Sequence, residues 1–420
     1  MHFGIVAIGS RGDVQPYVAL GLGLKGRGHN VTLLAYENFR DFIEGYGLEF
    51  LPLSGNIEEL LHTNDVKKMI RSGRFVALGI YAHTRAKETQ QQINQELVAG
   101  LANADVLVTS LLGISWVSSI AEKTNKKWAI VQVGLPITPT KVFPCCGIDQ
   151  FDFPLFNRFS YWVFHYGFWK LNKKLVNDFR LTLGLPTLKD SIFKKIANDK
   201  IPNLYCFSST LLSWPHNWDE HVKITGFLFL PKESRDQNSG DQIPKELTDW
   251  LATGERPVYI GFGSIPVPDP ELFGSVIKQM LTQTQHRFIF CHGWSRLAEL
   301  PDHPNLFVVK SINHDWLFPR CKAAIIHGGI GTLAACMKAR LPLIILSILY
   351  DQPFLGKIVS KKKIGIHIPF KKLTAEKLIM AIETSQSSEI RANTIDVGNG
   401  INNESGLETT VELLCSVQFT

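Results

Sequence analysis

Phe3-Gly4-Ile5-Val6-Ala7-Ile8-Gly9-Ser10-Arg11-Gly12-Asp13-Val14-Gln15-Pro16 opens the chain with a short apolar run, a loop carrying two glycines, and a proline suited to a first helical turn. The apolar run reads as a buried first strand, Pro16 to Lys25 as a helix and Val31 to Tyr36 as the next strand. That is the βαβ rhythm of a parallel sheet. It continues at Val106 to Thr109 and Trp128 to Val133. It restarts at Val258 to Gly261, Phe288 to Cys291, Phe307 to Val309, Ala323 to His327 and Leu343 to Ser347, which predicts a second sheet built like the first.

The expected architecture is α/β, with two doubly wound, Rossmann-like domains facing across a cleft where strand ends bind ligand. Pro231 to Pro244 is polar and short of apolar residues, as domain boundaries are. The expected division is residues 1–230 as the first domain, 231–244 as linker, 245–390 as the second, and 391–420 as a C-terminal helix that could pack back on the first. A length of 420 residues fits such an arrangement. At 45% hydrophobic and 20% charged residues, the composition excludes disordered, collagenous and fibrous classes. The net charge of +6 suits an anionic small ligand or a membrane surface as well as nucleic acid, and decides nothing alone.

Seven cysteines at 145, 146, 206, 291, 321, 336 and 415 form no C-x-x-C pair and no zinc spacing, so a reducing, cytoplasmic setting is expected. The N-terminus lacks the basic and long apolar regions of a secretory signal. Leu341 to Leu349 is about half the length a membrane span needs.

Gly21, Gly23 and Gly26 match the dinucleotide fingerprint G-x-G-x-x-G as a string, but they fall inside the expected helix rather than directly after the strand, where amides would meet a pyrophosphate. That place is taken by the loop holding Asp13, which could N-cap the helix or, at a strand's carboxyl end, serve as a base. His327-Gly328-Gly329-Ile330-Gly331-Thr332 comes after a strand and precedes a helix at Leu333 to Lys338. Its glycines let backbone approach a ligand, and the helix amides attract phosphate; the plain alternative is a glycine-rich turn with Thr332 as N-cap. No P-loop string occurs. Asp351 and Gln352, after another strand, can bind several sugar hydroxyls or merely form a turn. Gly261-Phe262-Gly263-Ser264 is a third strand-end loop of the same half. Three such loops together suit one phosphorylated, hydroxyl-rich ligand. No D-x-D string is present to hold a metal at a sugar diphosphate. Phe151 to Trp169 holds ten aromatic residues, more than one helix's core needs, so some are expected to line an apolar pocket or a membrane-facing flap.

Taken in order, these stretches resemble the family 1 glycosyltransferases of the GT-B fold, most nearly the sterol 3β-glucosyltransferases and next the bacterial antibiotic and macrolide glycosyltransferases. The resemblance runs through residues 9–21, Gly28-His29-Asn30-Val31, Gly47-Leu48-Glu49-Phe50, Pro136-Ile137-Thr138-Pro139-Thr140, Phe143-Pro144 and GFGSIPV at 261–267. It continues through Gly293-Trp294, residues 314–318, HGGIGT at 327–332 and DQPF at 351–354. The chain departs from the family pattern at Ile326, Ile330 and Tyr350.

The resemblance implies an inverting hexosyl transfer, without metal or other cofactor, from a UDP-sugar co-substrate to a hydroxyl of a lipophilic acceptor such as a sterol. It implies Asp13 as catalytic base. Ser10, Gly12, Ser264, His327, Gly328, Gly329, Gly331 and Thr332 would hold the donor phosphates, Asp351 and Gln352 the sugar, and Trp294, Ser311 and Ile312 the uridine. The runner-up is a UDP- or dTDP-sugar transferase for polyketide, macrolide or flavonoid acceptors. A catalytically silent sugar-nucleotide or lipid-binding protein and a sugar-nucleotide epimerase are the other readings. Expected partners are a nucleotide sugar and a small-molecule acceptor, with peripheral contact at the inner face of a membrane as an option, and no nucleic acid.

Overall fold

The computed structural model describes residues 1–72, 75–134, 136–213, 215–216, 218–232, 243–293, 300–349 and 351–416. They divide into two compact units. The first comprises Met1–Ile57, His83–Asn238 and Glu404–Thr420, and the second Glu58–Ala82 and Ser239–Asn403.

In the first unit seven parallel strands run in the order β3-β2-β1-β4-β5-β6-β7. They are β1 (His2–Val6), β2 (Asn30–Tyr36), β3 (Glu49–Leu53), β4 (Val106–Thr109), β5 (Lys127–Gln132), β6 (Asn203–Tyr205) and β7 (Val222–Ile224). Ile5 of β1 lies opposite Leu33 of β2 and Val108 of β4, all fully buried. Helices cover both faces of such a sheet, so its strands read as continuous apolar runs rather than alternations. In the second unit the order is β10-β9-β8-β11-β12-β13, again all parallel. These are β8 (Val258–Gly261), β9 (Phe288–Cys291), β10 (Leu306–Val309), β11 (Ala323–Ile326), β12 (Leu343–Ser347) and β13 (Gly365–Pro369).

Three features differ from the sequence expectation. Residues 58–82 cluster with the second unit, because Val66, Ile70 and Leu78 bury themselves in the same core as Phe273 and Val276. Residues 391–420 are not one helix. Ser388–Asn403 belongs to the second unit, where Asn402 Nδ2 donates to the Lys338 carbonyl at 2.9 Å, and Gly406–Ser416 packs on the first helix of the first unit. Most of the expected linker, residues 233–242, lies outside the described residues. The first helix spans Arg11–Gly26, so Pro16 sits in its interior rather than its first turn. A proline there removes the donor that the carbonyl of Gly12 would otherwise receive, and the exposure of Gly12 leaves that oxygen to water.

Both sheets reverse their strand order once. In the first the chain winds outward through β2 and β3 on one side of β1 and through β4 to β7 on the other. In the second it winds through β9 and β10 on one side of β8 and through β11 to β13 on the other. The switch points therefore lie beyond the carboxyl ends of β1 and β4, and of β8 and β11. Ligands of doubly wound sheets bind at such points, because the two connecting loops diverge there and leave a crevice.

Candidate functional site

The first unit holds Ser10, Gly12 and Asp13; every other described candidate belongs to the second. Ser10 is the N-cap of the helix Arg11–Gly26, and Asp13 occupies the third helical position. Asp13 Oδ2 accepts from the Ser10 backbone N at 2.7 Å and from the Ser10 hydroxyl at 3.0 Å. Capping and base chemistry are thus not exclusive: one carboxylate oxygen holds the loop, and Oδ1 has no hydrogen-bond partner among the described residues. Gly9 makes this possible. Its φ is +138°, and a Cβ there would collide with Asp13 Oδ2.

Burial raises the Asp13 carboxyl above its usual 3.8, and the two Ser10 hydrogen bonds oppose the rise without cancelling it. The residue retains partial surface exposure, but the carboxyl itself is closely surrounded by protein, and that environment governs its titration. No cation contributes to the shift. A desolvated carboxylate without a counter-ion is a better proton acceptor than an exposed one. Ser10 is less available to a phosphate than expected, since its hydroxyl already donates to Asp13. Gly12, exposed in the first helical turn, keeps its N–H without an intrahelical acceptor.

In the second unit the strand-end loops converge. His327 comes directly after β11, and a Cβ placed on Gly263, in the loop after β8, would lie 3.2 Å from His327 Cε1. A Cβ on Gly329 would collide with His327 Nε2. Gly328 has φ +96°, and a Cβ there would stand 2.8 Å from Ile345 Cγ2 and 3.3 Å from Gln352 Cβ. Gly263 and Gly329 thus approach His327, Gly328 approaches Gln352, and a side chain at 328 or 329 would need its neighbours to shift.

The helix Ile330–Lys338 begins with Gly329 as N-cap, and no side chain caps it. Thr332 is its third residue, not its cap, because the chain turns helical as soon as Gly329 is passed. The first turn's amides, those of Ile330, Gly331 and Thr332, lack intrahelical acceptors, and they face the positive end of the helix dipole. Such an end binds phosphate without further side chains. Ser264 and Thr332 are half-buried hydroxyls beside it.

Burial lowers His327 from 6.5 to about 4, a shift only weakly opposed by the nearby Gly261 carbonyl, and its Nδ1 is buried without a hydrogen-bond partner. At neutral pH it is an uncharged imidazole: a single hydrogen-bond donor, not a cation. Gln352 is buried, and its Oε1 accepts from the amides of Ile348 at 2.8 Å and Leu349 at 3.1 Å. That leaves its NH₂ for a ligand and removes the acceptor half that sugar binding was expected to use. Asp351 precedes the helix Gln352–Lys361 and is half-buried. Ser311 and Ile312 come after β10 at the same sheet edge, the former exposed and the latter buried. Trp294 and Tyr350 lie outside the described residues.

One loop was not singled out from sequence. Ser110 to Gly113 succeeds β4, across the first switch point from Asp13, and the Leu111 amide donates to Gln132 Oε1 at 2.9 Å. Its apolar Ser-Leu-Leu-Gly string carries no motif, and only the strand order gives it away. Among the described residues no three His, Cys, Asp or Glu side chains gather as a metal site, and no helix is long and apolar enough to cross a membrane.

Residues 3–144 match the model of the glycosyltransferase family 28 N-terminal domain. The chain is 30% identical to a sterol 3-beta-glucosyltransferase of Arabidopsis thaliana over 98% of its own length and 65% of that protein's. It is 32% identical to the sterol 3-beta-glucosyltransferase of Yarrowia lipolytica over 99% of this chain and 28% of that one. The chain is similar to sterol glucosyltransferases along nearly its whole length. Its fold is of GT-B type. The structure of the glycotransferase of kitacinnamycin superposes with a TM-score of 0.71 at 14% identity, covering 98% of both chains. The glycosyltransferase VinC in complex with dTDP superposes at 0.67 and 14% identity, over 99% of this chain and 98% of that one. The chain spans just under two thirds of the plant relative and less than a third of the fungal one.

Proposed function

We propose that this chain is a glycosyltransferase that moves glucose from UDP-glucose to a hydroxyl of a lipophilic acceptor such as a sterol, with inversion at the anomeric carbon. The sterol glucosyltransferases to which it is similar supply the donor and acceptor class. Asp13 carries the chemistry: a desolvated carboxyl at a switch point, one oxygen held by Ser10 and the other unbonded. In a single displacement, that oxygen takes the proton of the acceptor hydroxyl as the hydroxyl oxygen bonds to the anomeric carbon. The bond from that carbon to the diphosphate breaks on the opposite face, and UDP leaves with the electron pair. A positioned base contributes about 10²- to 10⁴-fold.

The negative charge gathering on the departing diphosphate falls to the first-turn amides of the helix Ile330–Lys338, to a hydrogen bond from neutral His327, and to the hydroxyls of Ser264 and Thr332. Gly328, Gly329 and Gly331 let the phosphates approach that backbone. Gly12 and Ser10 would complete the phosphate contacts. Asp351 and the Gln352 amide would orient the sugar, and Trp294, Ser311 and Ile312 would receive the uridine. No metal ion or other cofactor enters this scheme. A lipophilic acceptor also favours work on the cytoplasmic side of a membrane and in contact with it.

Asp13→Asn tests the reading. The amide oxygen can still accept from Ser10, so the loop stays in place while the base is lost. We expect UDP-glucose binding within about twofold of wild type and turnover of a sterol acceptor reduced at least about a hundredfold. Wild-type activity should also fall on an acid limb centred above 3.8, because the carboxyl must be ionised to act and burial raises its titration. Near wild-type turnover in the variant removes Asp13 from the role.

A further inference from the structure

We infer that the outward face of the helix Pro154–Thr182 is a docking surface for a bilayer bearing anionic lipid. The inner side of the helix mixes polar anchors with buried Tyr161, Val176 and Phe179, and its outward side carries a stripe of exposed aromatic residues where a surface helix is ordinarily polar. On its inner side Asn157 Nδ2 donates to the Lys141 carbonyl at 3.0 Å, Ser160 Oγ accepts from Cys145 N at 2.7 Å, and His165 Nε2 meets the Ile137 carbonyl at 2.9 Å. Arg180, 1% exposed, closes the far end through Glu122 at 2.7 Å. The helix is thus fixed on its inner side by hydrogen bonds and by the burial of Tyr161, Val176 and Phe179.

On the outer side Leu155, Phe159, Trp162 and Tyr166 recur at helical spacing and are 78%, 53%, 60% and 56% exposed. Phe159 stacks on Trp162 at 5.7 Å and 21°, and Trp162 on Tyr166 at 5.6 Å and 12°. The rings form one continuous plate, roughly 11 Å long and parallel to the helix axis. Exposed Phe151 and Phe153 extend it at the N-terminal end.

Charge selects the occupant. The same face continues into Lys170 and Lys173, and Arg158 flanks the plate; all three are exposed, and none is ion-paired among the described residues. Tryptophan, tyrosine and phenylalanine beside lysine and arginine on one helix face match a membrane interface, where rings settle at headgroup depth and cations meet lipid phosphates. The plate's alignment lays the helix in the plane of the membrane. The net charge of +6 acts in the same direction. This surface stands independently of the transfer chemistry.

Co-sedimentation of the full chain with vesicles of phosphatidylcholine, and of phosphatidylcholine mixed with phosphatidylserine, tests it. We expect binding to the mixed vesicles to exceed binding to phosphatidylcholine alone. The triple variant Phe159→Ser, Trp162→Ser, Tyr166→Ser should weaken it at least about tenfold. The double variant Lys170→Glu, Lys173→Glu should abolish the preference for phosphatidylserine. Far-UV circular dichroism confirms folding, and Trp162→Ser alone, expected to weaken binding severalfold, replaces the triple variant should that one unfold. Failure of the wild type to bind either vesicle, or equal binding by the aromatic variant, overturns the proposal. So does a wild-type dimer that ignores vesicles and dissociates in the aromatic variant, which would assign the face to a second copy of the chain.

Discussion

Asp13 and His327 are both desolvated, and the same physical cause moves their titrations in opposite directions. Burial disfavours charge, so the acid is raised and the base is lowered. For His327 this has a consequence for stability. The unfolded imidazole takes its proton near 6.5 and the folded one only near 4, so between those values the unfolded chain binds more protons. Stability contributed by the neutral ring is whole above 6.5 and is lost as pH falls towards 4, by roughly 3 kcal/mol at most. Denaturant unfolding of wild type at pH 7 and pH 5 should show the loss, and His327→Gln should flatten it. Equal pH dependence in the two proteins would contradict the burial argument. The sequence makes Asp13 and His327 legible because each comes after an apolar strand and sits among glycines. It does not reveal that Gln352 gives its carbonyl oxygen to two backbone amides, since that depends on how the loop after β12 turns.

Elements formed by long apolar periods are legible and short ones are not. The strands at Val106–Thr109, Val258–Gly261, Phe288–Cys291 and Leu343–Ser347 coincide with their apolar runs. β6 and β7 have three residues each, too few for a period to show, and β13 is an edge strand bounded by Gly365 and Pro369. Gly21, Gly23 and Gly26 match a nucleotide fingerprint in letters, while Gly21 and Gly23 serve packing in fact and a Cβ on Gly26 would meet open space. A Cβ on Gly23 would stand 2.9 Å from Val411 Cγ2 and 3.1 Å from Leu407 Cδ1, so the C-terminal helix lies directly on the first helix there. Gly23→Val should therefore destabilise the first unit by about 1–3 kcal/mol through overpacking. Thermal melting measures this, and adding Leu407→Ala should restore part of the loss. A variant as stable as wild type would mean that the helix moves aside freely.

At the scale of the whole chain, the two units each take a segment from elsewhere in the sequence: residues 58–82 in the second and 404–420 in the first. Glu404 Oε1 accepts from the Ser208 hydroxyl at 2.9 Å and from the Ser209 backbone N at 3.0 Å, and Val411 and Leu414 are buried in the first unit's core. A chain stopped after Asn403 should lose both, giving an earlier calorimetric transition and aggregation on heating, with the second unit's transition little changed. A truncated chain that melts like the full one would show the segment to be dispensable.

Two parallel sheets, their strand-end loops and the family they resemble are determined by the sequence alone, because apolar periodicity and glycine placement are local properties of neighbouring residues. Which loops meet at a switch point, which segments cross from one core to the other, and which face of the aromatic helix remains outside were decided only by tertiary structure. Those depend on contacts between residues hundreds of positions apart, and no local pattern in the chain encodes them.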